Sequence, residues 1–479
     1  MATGIQERPS LGLKLAYGVG AAAFGIKNNG FDYFLLLFYG TVIGLEPSLV
    51  GLAIMIALVF DAISDPLVGY WSDNFHSRWG RRHPFMYAAA LPVALSYFLL
   101  WNPPDWGQIG LFFYLTLLAI LIRTLITFFE TPSSALLPEL TSDYDERTSL
   151  QSYRLMFGWI GGTMMSILMF GVLLRGPEGQ QSREGFETYG IVASVLIFAT
   201  MMITAAGTHH RIPHLSQPSP STTRMTPRQI FADMFATLRN RNFIALFMAA
   251  IFSSVATGIA AALNFLMLSY FWGFSEAQIF VIVSLVILAA LLGFAIAPIA
   301  TRLFGKKKAT ILLGVVAFAI QPLPVLLRLA DLMPLNGDPL LFPLVAAINT
   351  FDLALIIALS AVYYSMVADL VEANQVTSGR RTEGVYYAAM TFTRKATQGL
   401  GVLAAGVILT VVAFPEGAAP ESVEAETLWW LGALYAPSLL LMWILMLVSV
   451  SSYRIDRAGH EANLRRLAGA GRSAEPRID

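Results

Sequence analysis

The sequence predicts an all-α membrane protein with twelve transmembrane helices in two six-helix halves, and three observations predict it. Apolar residues make up 56% of the 479 residues and charged residues only 13%, with a mean hydropathy of +0.63, which lies outside the soluble globular class. At about 20 to 25 residues per crossing, a dozen spans use roughly 240 to 300 residues, so twelve is the natural ceiling. Finally, a polar connector over 209–242, carrying Pro213, Pro218, Pro220 and a Ser/Thr run, parts the apolar windows evenly.

In order, the first half (1–208) places its spans at 11–40, 48–70, 85–101, 109–130, 155–174 and 189–206. The second half (243–453) places them at 243–272, 277–300, 310–327, 340–366, 385–414 and 428–450, followed by a polar tail, 454–479. Residues 227–238 of the connector read as a surface helix. Cations collect in alternate loops: Arg78, Arg81 and Arg82 after the second span, Lys306, Lys307 and Lys308 after the eighth, Arg380 and Arg381 after the tenth. The excess of Lys and Arg marks those loops, the connector and both termini as cytoplasmic. The opposite loops are poor in cations, as in 415–427 with its four glutamates. The first nine residues have no apolar core or cleavage site, so a multi-pass protein of the cell (inner) membrane is expected, with its first span as the targeting signal.

Composition also narrows the function. Lys plus Arg and Asp plus Glu both number 31, so no net field draws nucleic acid. There is no cysteine, the six histidines lack ligand spacing, and no cofactor is expected. Neither a Ser/His/Asp or Cys/His constellation nor a phosphate-cradling glycine loop occurs, so an enzyme is not expected.

The informative residues are charges inside apolar spans, each costing about 3 kcal/mol when unpaired. The acids are Asp32, Asp61, Asp65, Glu130 and Asp352; the bases are Lys27, Arg123, Arg154, Arg394 and Lys395. Static ion pairing accounts for single members, but the set as a whole suggests a polar pathway. Asp61 and Asp65 are i,i+4 and share a helix face with Ser64 close by; Arg123, Thr127 and Glu130 follow at i, i+4 and i+7. Hard oxygens so grouped suit a desolvated Na+ with Asp61, Asp65 and Glu130 as the metal carboxylates, and clustered carboxylates equally suit H+.

Gly69-Tyr70-Trp71-Ser72-Asp73 and Arg78-Trp79-Gly80-Arg81-Arg82 resemble the loop after span two in the major facilitator superfamily. Asp61-Ala62-Ile63-Ser64-Asp65-Pro66 resembles the second-helix signature of the glycoside-pentoside-hexuronide:cation symporters, the melibiose permease family. Further similarities are Glu130-Thr131-Pro132, Asp145-Glu146-Arg147 before Arg154, Tyr363 to Asp369, and Arg381-Thr382-Glu383-Gly384 before Lys395. The resemblance implies a major facilitator fold and a secondary transporter that couples a sugar or glycoside, including uronides, to Na+ or H+. It places coupling-cation ligands at Asp61, Ser64, Asp65, Thr127 and Glu130, puts Lys395 near both sites, and puts Arg154 near the sugar. Ser64 stands for an asparagine of that family, Glu130 for an aspartate and Ser134 for a tryptophan, and the family's sugar-binding aspartate of span one falls on Gly25 or Asn28. Asp73, Arg81 and Arg82 resemble the superfamily's inner gate. The substrate set is expected to be Lys27, Asn28, Asn29, Arg123, Glu130, Arg154, Asp352, Thr391, Lys395 and Gln398. A lysolipid or amphiphile transporter on the same scaffold is the alternative. Expected partners are a small-molecule substrate and the lipid bilayer, with the protein a monomer.

Overall fold

The structure, a computed structural model, describes residues 9–75, 77–141, 144–175, 179–214, 241–378, 383–415 and 419–453, except the side chains at 66, 70, 73–74, 138, 144–145, 147–148, 214, 364, 367–378, 383–392, 395–396 and 421. Among the described residues there is no strand. That is the outcome demanded of apolar runs in a bilayer, where only intra-segment hydrogen bonds satisfy the backbone. Among the described residues ten helices are long and apolar enough to cross a membrane: Pro47–Gly69, His83–Leu100, Gln108–Ala135, Ser149–Leu173, Arg183–His209, Arg241–Phe271, Glu276–Phe304, Lys306–Leu329, Leu341–Tyr363 and Ala425–Ser451. They fall on ten of the expected spans. A shorter apolar helix, Thr397–Val411, falls on the eleventh. The expected surface helix 227–238 and the tail 454–479 lie outside the described residues.

The first expected span is built differently from the rest. It runs as α1 (Leu11–Val19) and α2 (Ala21–Asn29), then alternates into π-helical turns at Gly30–Phe34 and Phe38–Val42 around a short α turn. Ser10 opens α1, its hydroxyl accepting from the Leu13 N–H at 3.3 Å. Wide π turns are rare and concentrate at functional positions; the first of them carries Asp32.

The helices that matter below are α3 (Pro47–Asn74), α4 (His83–Leu100), α5 (Gln108–Ala135), the short α6 (Leu137–Leu140) and α7 (Tyr144–Leu168), followed by α8 (Arg183–His209). Prolines near the starts of α3 and α4 sit where a missing N–H costs nothing. Ser182 caps α8 by accepting from Gly185 N–H at 3.1 Å.

The chain forms two compact units. The first comprises 1–227, 258–283 and 402–428. Within it α3 packs on α5, α2 on α7, and α4 on both α5 and α8. The α2–α7 contact is a backbone approach: a Cβ placed on Gly25 would stand 1.9 Å from the Gly158 carbonyl oxygen, and one on Gly161 would meet Ala22 backbone at 2.7 Å. Small residues permit that approach, as in membrane helix pairs generally. Beyond the π turns an aromatic core gathers Phe34, Phe38, Trp101, Phe170, Phe186, Tyr189 and Phe265. Large apolar side chains such as Leu91, Leu95, Leu117 and Val195 remain exposed on the outer faces, where lipid is their solvent.

The second unit comprises 228–257, 284–401 and 429–479. Here Lys306–Ile320 packs on Leu341–Ser378. Trp443 stacks on Phe318 with centroids 4.0 Å apart and donates its indole N–H to Gln321 at 2.7 Å. Gly293 lets its helix meet Ala354 and Ile357 closely.

Candidate functional site

Four of the expected site residues converge at the α3–α5 contact. The spacing Asp61/Asp65 puts both carboxylates on the inner face of α3, and Arg123/Thr127 puts a guanidinium and a hydroxyl on the facing side of α5. Thr127 Oγ1 lies 3.2 Å from Asp61 Oδ1, 2.9 Å from Asp65 Oδ1 and 3.0 Å from the Arg123 carbonyl oxygen. A hydroxyl has one proton, so it satisfies one of these acceptors at a time. Three further oxygens therefore surround one hydroxyl oxygen. Asp61 and Thr127 are each 1% exposed.

Arg123 is 3% exposed and stands with Nη1 3.5 Å from Asp61 Oδ2. Its guanidinium also lies 4.6 Å from the Phe31 ring centroid. Counting these three ionised side chains alone, two carboxylates and one guanidinium leave a formal charge of −1, which one monovalent cation or one proton neutralises. Ser64 is buried but turns its hydroxyl back to the Asp61 carbonyl, 3.1 Å away. Glu130 is half-buried one turn beyond Thr127, and its carbonyl accepts from Ser133 at 3.0 Å. Among the described residues no three His, Cys, Asp or Glu side chains gather as a metal group. The built part of the expected metal carboxylate set is thus Asp61 and Asp65 with the Thr127 hydroxyl.

The expected substrate residues fall in three places. On α2, Lys27 is 2% exposed with Nζ 4.8 Å from the Phe24 ring centroid, Asn28 is half-buried, and Asn29 donates to Ser166 on α7 at 2.8 Å. Arg123 joins the carboxylates of α3. Arg154 of α7 reaches Tyr17 and Ser133 through Nη1 at 3.2 and 3.4 Å and Ser134 through Nη2 at 2.7 Å. Three neutral hydroxyls hold that guanidinium, and no ion pair is formed by it among the described residues. In the second unit, Asp352 is 6% exposed and its Oδ1 has no hydrogen-bond partner among the described residues, while Gln398 is half-buried. The side chains of Thr391 and Lys395 lie outside the described residues.

Of the expected gate residues, Asp73 also lies outside the described side chains. Arg81 and Arg82 both bind Glu139 of α6, Arg82 at 2.6 Å. Sequence reasoning missed Glu139, although an acid in the otherwise cationic run of loops was a visible signal. It also missed Tyr17, Phe31 and Ser166 as partners of Arg154, Arg123 and Asn29; these contacts join separate helices, and no local pattern announces them.

The family model described as MFS/sugar transport protein matches residues 16–457. The uncharacterized symporter sll1374 of Synechocystis is 38% identical over 199 residues, covering 40% of this chain and 36% of that protein. The inner membrane symporter YicJ of Escherichia coli is 25% identical over 402 residues, 83% of this chain and 81% of that protein. The isoprimeverose transporter of Lactiplantibacillus pentosus is 23% identical over 410 residues, 83% and 79% of the two chains. Among solved structures, the nucleoside transporter NupG matches with a TM-score of 0.62 at 14% identity, over 93% of this chain and 99% of that one. The inward-open xylose transporter XylE from E. coli matches with 0.60 at 14% identity, over 95% and 98%. These structures share the fold. The chain is an integral, multi-pass membrane protein of the major facilitator architecture and belongs to the MFS/sugar transport protein family.

Proposed function

We propose that the protein is a secondary active transporter that couples the symport of a sugar or glycoside, uronides included, to Na+ or H+ by alternating access. The observation that carries this reading is the buried cluster in which the Asp61 and Asp65 carboxylates meet the Thr127 hydroxyl beside the Arg123 guanidinium. Hard oxygens grouped in this way suit one monovalent cation or one proton. Hard monovalent cations select oxygen ligands of this type. In this reading Ser64, beside Asp65 on α3, and Glu130, one turn beyond Thr127 on α5, complete the coupling site. The substrate set in this reading is Lys27, Asn28, Asn29, Arg123, Glu130, Arg154, Asp352, Thr391, Lys395 and Gln398: amides and charges suit hydroxyl-rich ligands, and Arg154, held by hydroxyls among the described residues, suits a carboxylate on a uronide. The name of the isoprimeverose transporter supports a glycoside.

In this reading the chain has twelve spans in two halves, 1–208 and 243–453, joined by a cytoplasmic connector, 209–242. It lies in the inner membrane as a monomer, with both termini and the Arg78–Arg82 loop at the cytoplasm. Cation and sugar favour the same occluded state, so each raises the affinity for the other. The test is thermal unfolding of the purified protein in Na+, Li+ or choline chloride and across pH, with a panel of glycosides, pentosides, uronides and lysolipids. Saturable stabilisation by one cation, deepened by one glycoside, is expected. Stabilisation by a lysolipid and by no sugar would assign the substrate to the amphiphile class instead.

A further inference from the structure

A groove of about 360 Å³ opens on the first unit where α3, α4 and α5 meet, lined by Trp71, Phe75, Phe85, Ala88, Leu125 and Phe128 among others. No ionisable side chain lines it. The aromatic rings brace one another: Trp71 meets Phe85 and Phe128 edge-on at 5.5 and 5.6 Å, Phe75 meets Phe85 edge-on at 5.1 Å, and Phe85 lies over Phe128 at 5.9 Å. Trp71 is 54% exposed, although a side chain that merely filled the bundle would be turned inward. At about 1.5 Å of rise and 3.6 residues per turn, these positions lie within about three turns of the cytoplasmic helix ends. The groove therefore sits at acyl-chain depth in the inner leaflet, given the orientation proposed above.

Directly beyond it lies a rigid cationic turn. Ser77 donates its hydroxyl to the Gly80 carbonyl at 2.7 Å and accepts from Trp79 N–H at 3.1 Å, and Gly80 takes φ +74, where a Cβ is disfavoured. The turn presents Arg78, exposed, with its guanidinium 5.7 Å from the ring of Trp79, itself 44% exposed. Arg81 and Arg82 are occupied by Glu139, whereas Arg78 forms no ion pair among the described residues. An apolar slot, a half-exposed tryptophan and an exposed guanidinium three residues beyond Phe75 form the two-part complement of one kind of molecule.

We infer that this face is a binding site for an anionic phospholipid, one acyl chain in the Trp71–Phe128 groove and the headgroup phosphate on Arg78. Neither Arg78 nor Ala88 belongs to the proposed transport machinery. The test is native mass spectrometry of the full-length protein titrated with palmitoyl-oleoyl phosphatidylglycerol and, separately, with phosphatidylcholine of the same chains. The first-bound phosphatidylglycerol is expected to be about five-fold tighter than phosphatidylcholine, the scale of one arginine at a lipid headgroup. Arg78→Ala is expected to abolish that preference while leaving chain binding, and Ala88→Phe, which fills the groove, is expected to remove the first-bound molecule of either lipid. Both variants are checked for native melting and size-exclusion profiles, and Leu91→Phe, another exposed position of the same helix, serves as the surface control. Equal affinity for the two lipids in the unmodified protein would overturn the inference, as would first-site binding that survives Ala88→Phe. Either result would mean that only ordinary annular lipid contacts this face.

Discussion

Arg123 Nη1 stands 3.5 Å from Asp61 Oδ2, with both side chains almost wholly buried between α3 and α5. The pair is offset by a third charge, Asp65, reached through the hydroxyl of Thr127. An isolated buried pair fixes packing and does little else. A pair with a second carboxylate on the same hydroxyl offers several hard oxygens to a cation. The guanidinium keeps the site close enough to neutral to survive burial when the ion has left.

Breaking the pair itself should be costly. Asp61→Asn leaves Arg123 charged and unmatched, and the expected loss is about 3–5 kcal/mol, the usual range for removing one partner of a buried ion pair. The check is the melting temperature in detergent without coupling ion. The double variant Asp61→Asn with Arg123→Gln should recover part of that loss, since neither residue then carries a charge.

Asp65 permits a cleaner separation of binding from folding. It is less buried than Asp61, and an asparagine retains an oxygen to accept from Thr127. Asp65→Asn is expected to melt close to the unmodified protein yet show no stabilisation by the coupling cation. Poor expression and aggregation on size exclusion would instead assign Asp65 to structure.

Thr127→Val removes the shared hydroxyl at nearly constant volume. If that oxygen is a cation ligand, affinity should fall about ten-fold, or roughly 1.4 kcal/mol, near the lower end for hydrogen bonds to charged groups. Titration of cation-dependent melting reads the change. Thr127→Ser, which keeps the oxygen, should retain most of the affinity.

Gly25 tests the packing of the first span. A methyl there meets the Gly158 carbonyl oxygen at 1.9 Å, so Gly25→Ala should cost at least about 1–3 kcal/mol by overpacking. Lower melting temperature and yield, with cation stabilisation of the surviving folded fraction intact, are the expected outcome.

Much of this architecture was legible before any coordinates. Apolar run length alone located ten crossing helices, because a bilayer leaves the backbone no alternative. Helical spacing brought Asp61 to Asp65 and Arg123 to Thr127, a local property that periodicity reports. The first span was legible in extent and not in form: nothing in Gly30–Val42 marks two π turns, whose register depends on the aromatic core they meet. Partners across helices were equally hidden. Arg123 stands on Asp61, and Arg81 and Arg82 bind Glu139, and no local spacing announces these pairings. Side chains as long as arginine reach several candidate partners, and only packing selects among them.

The most direct measurement is uptake of a labelled glycoside, chosen as the panel member that most stabilises the protein, into proteoliposomes on which a Na+ or H+ gradient is imposed. The account predicts accumulation above the external concentration, driven by one of the two gradients, collapsed by the matching ionophore and absent in Asp65→Asn. Uptake that only equilibrates the sugar whatever the gradient, or accumulation that persists undiminished in Asp65→Asn, would contradict it.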